Sequence, residues 1–310
     1  SFLLNEGMVQ YKGEDFEKVL INAFGAINYL MLGDLENTLV EARRLNEKLR
    51  LYKIEAKRDY EQNVFARYIS AIAWEAGRKY DDAYIDYEES YRLNPSFAPL
   101  KKDLIRAARL AQRPEMEKKW KEKFSGVDVG VAWKDATYGE LVLIYQQGWG
   151  PVKRPHPSWY RIPKLYPVPT YTVQAMLEID GIAPVYSEEI YSVQDVAIKT
   201  LDDAYAGLIA KRVASEVLKQ GVANKIGQRN RALGDLAYIA MAVADQADLR
   251  QWSTLPANLH VARVYLREGK YNVKVSGMTS AGAPSGEAMN PVEIEIKAQK
   301  KTFLNWRSFR

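Results

Sequence analysis

From Glu17 to Asn46 the residues Val19, Leu20, Ala23, Phe24, Ile27, Leu30 and Met31 fall on one helical stripe. Gly33-Asp34 then interrupts the stripe before a second amphipathic run, which predicts a helix, a tight turn and a helix. The same grammar returns at Phe65, Ile69, Ile72 and Ala73, followed by Gly77 and by Tyr80, Ala83, Tyr87 and Leu93. Asn94-Pro95 closes that pair, because a proline has no N–H to continue the ladder. A third, capping pair is predicted over 97–124, broken at Pro114.

After Ser125 the texture changes. Glu140-Leu141-Val142-Leu143-Ile144-Tyr145 is dense, apolar and partly β-branched, the signature of a buried strand. Six of the 13 prolines lie between Trp149 and Pro169, predicting an extended strap that feeds a second strand over Tyr171, Val173, Ala175 and Leu177. Helical spacing resumes from Val193, with Leu201, Tyr205, Leu208, Ile209, Val213 and Val217 on one stripe, and predicts a long helical segment over 193–247. Val261–Leu266 and Tyr271–Val275 then flank Arg267-Glu268-Gly269 as a hairpin pattern, joined by Val292, Ile294 and Ile296. The Gly/Ser/Ala/Pro stretch from Ser276 to Pro291 reads as a mobile loop. The expected class is α+β, with a helical-repeat domain over 1–124 and an α+β domain over 125–310 that holds the strap (149–169), the helical segment (193–247) and a C-terminal β-hairpin region (259–306).

The second helical pair resembles a tetratricopeptide repeat, matching that pattern at Tyr80, Ala83, Tyr87 and Pro95. The first pair carries Gly33, Leu35, Thr38 and Ala42 without the closing proline, and its turn glycine lies 44 residues before Gly77, implying a longer second helix through Arg44 to Tyr60. Phrases along most of the chain resemble a family of bacterial envelope lipoproteins with such repeats. They are Tyr11–Glu17 leading to Asn28-Tyr29-Leu30, Val40–Asn46, Gly139–Val142 with Gly148–Lys153, and Ala247–Pro256. The resemblance implies a periplasmic protein anchored to the outer membrane that works with other outer-membrane lipoproteins in envelope assembly, and it carries over no catalytic residue. The family's lipidated cysteine is expected upstream of Ser1, since Ser1-Phe2-Leu3 opens without an initiator Met or a basic leader. Membrane attachment is accordingly expected only through an anchor outside this chain.

Composition narrows the chemistry. The absence of cysteine among 310 residues removes disulfides, thiol nucleophiles and thiolate metal sites. A net charge of +5 is spread along the chain without a nucleic-acid recognition motif, so no nucleic-acid partner is expected. His156 and His260 are the only histidines, neither at metal-ligand spacing from a partner, and no phosphate loop or nucleophile elbow occurs. No cofactor, metal or catalytic residue is expected. A glycosidase needs only two carboxylates, and Glu140, Glu178, Asp180, Glu188 and Glu189 are the ones to test for it.

Two binding surfaces stand out instead. In the strap, Trp149, Lys153, Arg154, His156, Trp159, Tyr160, Arg161, Lys164 and Tyr166 interleave rings with cations, a mixture suited to peptidoglycan, another anionic glycan or a partner loop. The same rings also suit a strap that covers a hydrophobic body. In a repeat groove, Asn28, Arg43, Arg44, Asn46, Arg67 and Tyr68 face an extended peptide, or else serve packing against the C-terminal half. Asp248, Arg250 and Trp252 read as a local ion pair beside a packed ring.

Overall fold

The computed structural model describes residues 10–11, 13–56, 63–158, 162–205, 207, 209–210, 214 and 247–310. The chain is α+β.

The helices form where the stripes place them: α1 (Asp15–Leu32), α2 (Leu35–Ala56), α3 (Val64–Ala76), α4 (Tyr80–Leu93), α5 (Pro99–Leu110) and α6 (Pro114–Lys123). Gly33 ends α1 in the left-handed region at φ 71°, where the Asp34 N–H returns to the Tyr29 carbonyl at 2.9 Å. Asp34 then caps α2 by accepting from the Asn37 N–H at 3.0 Å. Asn63 does the same for α3 through the Ala66 N–H at 2.8 Å. Prolines open α5 and α6, at the position whose missing N–H costs nothing. Each helix packs on the next, and α3 packs on α1 as well. The sequence of α3 is apolar nearly all round, and it is buried nearly all round.

Eleven strands follow: β1 (Tyr138–Gln147), β2 (Val152–Pro155), β3 (Pro163–Tyr166), β4 (Gln174–Ile179), β5 (Ile182–Tyr186), β6 (Glu188–Ser192), β7 (Asn258–Arg267), β8 (Gly269–Met278), β9 (Pro284–Ala288), β10 (Val292–Ile296) and β11 (Lys301–Arg307) among the described residues. One sheet has the order β11-β1-β7-β6, with β11 parallel to β1 and the other pairs antiparallel. A second has the order β10-β8-β4-β5, with β9 also on β8. Leu141, Leu143 and Tyr145 of β1 share one buried core with Ala175, Leu177 and Ile179 of β4 and with Val273 and Val275 of β8, so the two sheets stack through these side chains. The alternate residues of β1 point the other way, yet every residue from Gly139 to Gln147 is buried. A strand covered on both faces explains the unbroken apolar run.

Three sequence expectations change. The hairpin over Val261–Val275 does not pair with itself: β7 is taken on both edges by β1 and β6, while β8 pairs with β4, β9 and β10, so the chain changes sheets at Glu268-Gly269. The stretch 276–291, expected to be a mobile loop, continues β8 and returns as β9, with Ser276 opposite Ala288. The extended proline strap is a short antiparallel pair, Lys153 opposite Leu165 in β2 and β3, whose prolines sit at the outer ends. Of the predicted 193–247 segment, 193–205 is helical and most of the rest lies outside the described residues. Residues 57–62, where α2 was expected to reach Tyr60, also lie outside them.

The chain groups into two compact units that cut it differently from a boundary at 124. One comprises 1–14, 151–168 and 194–253; the other comprises 15–150, 169–193 and 254–310 and contains the six helices and both stacked sheets.

Candidate functional site

Glu140, the third residue of β1, lies on the face turned away from the sheet-to-sheet core, next to Tyr265 on β7 and Lys301 on β11. Arg263, two residues along β7, shares that face. Opposite these strands, α3 contributes Tyr68 and Glu75, α4 Tyr87, and α5 Asp103 and Arg106. The groups meet in one buried network. Arg263 donates through Nε to Glu140 at 2.6 Å, through Nη1 to Asp103 at 3.0 Å and to the Tyr87 hydroxyl at 3.0 Å, and through Nη2 to Glu75 at 3.3 Å. Arg106 holds Glu75 with two nitrogens, each at 3.0 Å, and Asp103 at 2.7 Å. Lys301 reaches Glu140 and, at 3.3 Å, Glu75. Tyr68 donates to Asp103 at 2.5 Å and Tyr87 to Glu75 at 2.6 Å.

Three carboxylates face three cations here, so the network is electrically balanced. Burial alone would raise the Glu75 carboxyl, but the fields of Arg106, Lys301 and Arg263 overcome it and hold Glu75 well below the usual carboxylate range. Glu140 is likewise pulled against its burial, by Arg263 and Lys301, to about 2. Burial drives the Tyr265 hydroxyl far above its ordinary value.

One side of this network is open. A cleft of about 750 Å³ is floored by Glu75, Arg106, Glu140, Tyr265 and Lys301. Its rim carries Arg78, Lys134 and Lys300, and Trp133, Tyr138 and Tyr80 line its walls. The lip is fixed by backbone bonds: Gln299 N–H to the Tyr138 carbonyl at 2.7 Å and Glu140 N–H to the Lys300 carbonyl at 3.0 Å. Arg78, Lys134 and Lys300 have no carboxylate partner among the described residues, and with Asp135 as the acidic residue beside them the mouth keeps an excess of positive charge. The Tyr265 hydroxyl lines the floor and makes no hydrogen bond to a described residue. Arg78 and Gln299 hold positive φ angles of 56° and 55°, a conformation that L side chains adopt at a cost; both line this cleft.

The residues singled out from sequence are dispersed. Tyr68 is fully buried in the network. Asn46 and Arg67 belong to a second buried knot, donating to Asp86 at 2.7 and 3.1 Å beside Ser70 and Trp74. Asn28, Arg43 and Arg44 are exposed, with Arg43 over the Trp74 ring at 5.5 Å and Arg44 paired to Glu41 at 2.6 Å. The six groove candidates thus divide between interior and surface. Trp149 packs on Phe309, with Arg307 4.8 Å above its ring. Lys153 is buried, with Nζ donating to Glu14 at 2.8 Å and to the Arg250 carbonyl at 3.1 Å. Arg154 is exposed, and Trp159, Tyr160 and Arg161 lie outside the described residues. Asp248 pairs with Arg250 at 2.7 Å, as its spacing implied.

Sequence reading passed over Glu75, Arg106, Arg263, Tyr265 and Lys301. A signal was present: Arg263 interrupts Val261-Ala262-Arg263-Val264-Tyr265-Leu266 and Glu75 ends an apolar helix, and a charge inside an apolar pattern is rarely buried without a partner. No family model, curated protein or solved structure matches the chain.

Proposed function

We propose that this chain is a non-catalytic adaptor of the bacterial cell envelope, periplasmic and held at the outer membrane by an anchor outside this chain, and that it works by binding a partner at the cationic cleft. The observation that carries the binding part of the reading, as against proton-donating chemistry in this cleft, is the state of the cleft carboxylates; the envelope part rests on the family resemblance. A glycosidase needs one carboxyl protonated at working pH. Glu75 and Glu140 are instead both held ionised by Arg106, Arg263 and Lys301. Such a floor orients a ligand and does not deliver a proton.

Tetratricopeptide-like pairing is the finer reading of the helices, supported by the consecutive packing of α1 to α6 and by the burial of Ala83 and Tyr87 at the repeat positions of α4. With Tyr68 consumed in the interior, these hairpins serve as the support on which the β-sheet residues are held. The partners proposed are other outer-membrane lipoproteins, and an accessory role in activating peptidoglycan synthesis is the narrower form of the same reading.

The test is crosslinking in native envelopes followed by mass spectrometry, comparing wild type with Lys134→Ala/Lys300→Ala. The expected result is a chain that fractionates with the envelope and a captured set of envelope proteins that the double variant loses. Fractionation with the cytoplasm overturns the location, and identical capture by the variant overturns the cleft as the contact surface.

A further inference from the structure

We infer that the cleft takes a short acidic sugar, its ring hydroxyls on the Glu75–Glu140–Tyr265 floor and its carboxylate on Lys134 and Lys300 at the rim; this rests on the cleft being the binding surface proposed above. Each part of the site selects for that class. The volume of about 750 Å³ lies within the range of small-ligand sites, roughly 300–1,000 Å³, and is enclosed on several sides by helix ends and strands.

The floor presents oxygens. Glu75 and Glu140 are acceptors only, and the Tyr265 hydroxyl both accepts and donates while unengaged by the described protein. Glu75 and Glu140 already accept from Tyr87, Arg106, Arg263 and Lys301, so a ring hydroxyl meets the Tyr265 hydroxyl and the lone pairs those bonds leave over, donating to one neighbour and accepting from another. An anionic group does not belong there, since the carboxylates would repel it and Arg106 and Lys301 are already committed. The rim has the opposite character: Lys134 and Lys300 are exposed ammonium groups without carboxylate partners among the described residues. Between floor and rim stands the half-buried Trp133, its N–H bonded to the Gly130 carbonyl at 3.2 Å and the Lys134 ammonium 5.0 Å from its ring centre, so one indole face is left for the C–H bonds of a sugar ring and the other carries the cation that meets the carboxylate. An acidic peptide would use the rim equally well and brings N–H donors to the floor, but it lacks the hydroxyls that both donate to and accept from Tyr265, which makes it the class the titration must separate.

Isothermal titration of the full chain with a galacturonic acid trimer, its methyl-esterified uncharged form and an acidic hexapeptide of matching charge separates these classes. The trimer is expected to bind, and the ester to bind roughly tenfold more weakly, the scale of one lost charge-assisted hydrogen bond. Lys134→Ala/Lys300→Ala is expected to lower trimer affinity by about tenfold with an unchanged melting temperature. Tyr265→Phe, which removes a hydroxyl that no described residue uses, is expected to lower affinity for trimer and ester alike while leaving the salt dependence as in wild type. Absence of trimer binding, a peptide that binds as tightly as the trimer, or affinities indifferent to both variants overturn the assignment. If trimer binding fails while the double variant still loses its captured envelope proteins, the acidic-sugar assignment falls and the cleft stands; if capture is retained, the cleft itself falls.

Discussion

Arg263 reaches diagonally across the β1–β7 ladder to Glu140 at 2.6 Å, passing over Val142, the residue directly opposite it. That diagonal leaves the rest of the guanidinium free to meet α3, α4 and α5, so one side chain ties the strand layer to the helical layer.

Removing it leaves three buried carboxylates with too few cations. Arg263→Met is expected to cost about 3–5 kcal/mol, the usual result of breaking a buried ion network on one side. Urea unfolding measures it, and a loss below about 1 kcal/mol would show that the network carries little of the folded state's stability.

Stability is expected to fall on acidification in two stages. Burial lowers His260 from 6.5 to about 3, so the unfolded chain binds the proton that the folded one refuses; the stabilisation is complete above 6.5 and erodes below it at up to about 1.4 kcal/mol per pH unit. Glu140, lowered from 4.5 to about 2, and Glu75 contribute above 4.5 and lose their contribution as pH falls further. Asp86, raised by burial, works in the opposite sense and offsets part of the second stage. Urea midpoints from pH 8 to 5 should slope in the wild type and be flat in His260→Gln; equal slopes would refute the assignment to His260.

The knot around Asp86 should behave as a structural unit. Its carboxylate accepts from Asn46, Ser70, Trp74 and Arg67, and Asp86→Ala would strand the Asn46, Ser70 and Trp74 donors and leave the buried Arg67 guanidinium with only its bond to Asn46. A loss of about 3 kcal/mol or more is expected from thermal unfolding, against about 0.5 kcal/mol or less for Arg44→Ala on the surface.

Gly139 and Gly33 separate space from backbone conformation. A Cβ at Gly139 runs into the Lys297 carbonyl and the Ile296 side chain, whereas Gly33 faces open space and needs only its positive φ. Gly139→Ala is expected to cost about 2–3 kcal/mol through crowding, and Gly33→Ala about 1 kcal/mol through strain. Denaturant midpoints of the two variants decide it, and the reverse order would place the cleft lip away from β1.

Residue periodicity by itself determined where the six helices lie and several of their ends, the far end of α2, expected at Tyr60, lying outside the described residues. Those signals are local: a stripe at 3.6 residues, a glycine or proline at a terminus, a capping Asp34 or Asn63. It also determined β1 as a buried strand, because the run from Leu141 to Tyr145 has no polar face to offer to water. Strand pairing was not local. The pattern around Arg267-Glu268-Gly269 is that of a hairpin, and only the competing partners β1, β6, β4 and β10 sent its two halves to different sheets. The cleft belongs wholly to tertiary structure. Glu75, Arg106, Glu140, Tyr265 and Lys301 span 226 positions of sequence from first to last, and no spacing rule links them. What brings the four charged ones together is the cost of burying charge: each is tolerated inside only where the others neutralise it, so the packing of helices on the sheet and the assembly of the site are one event.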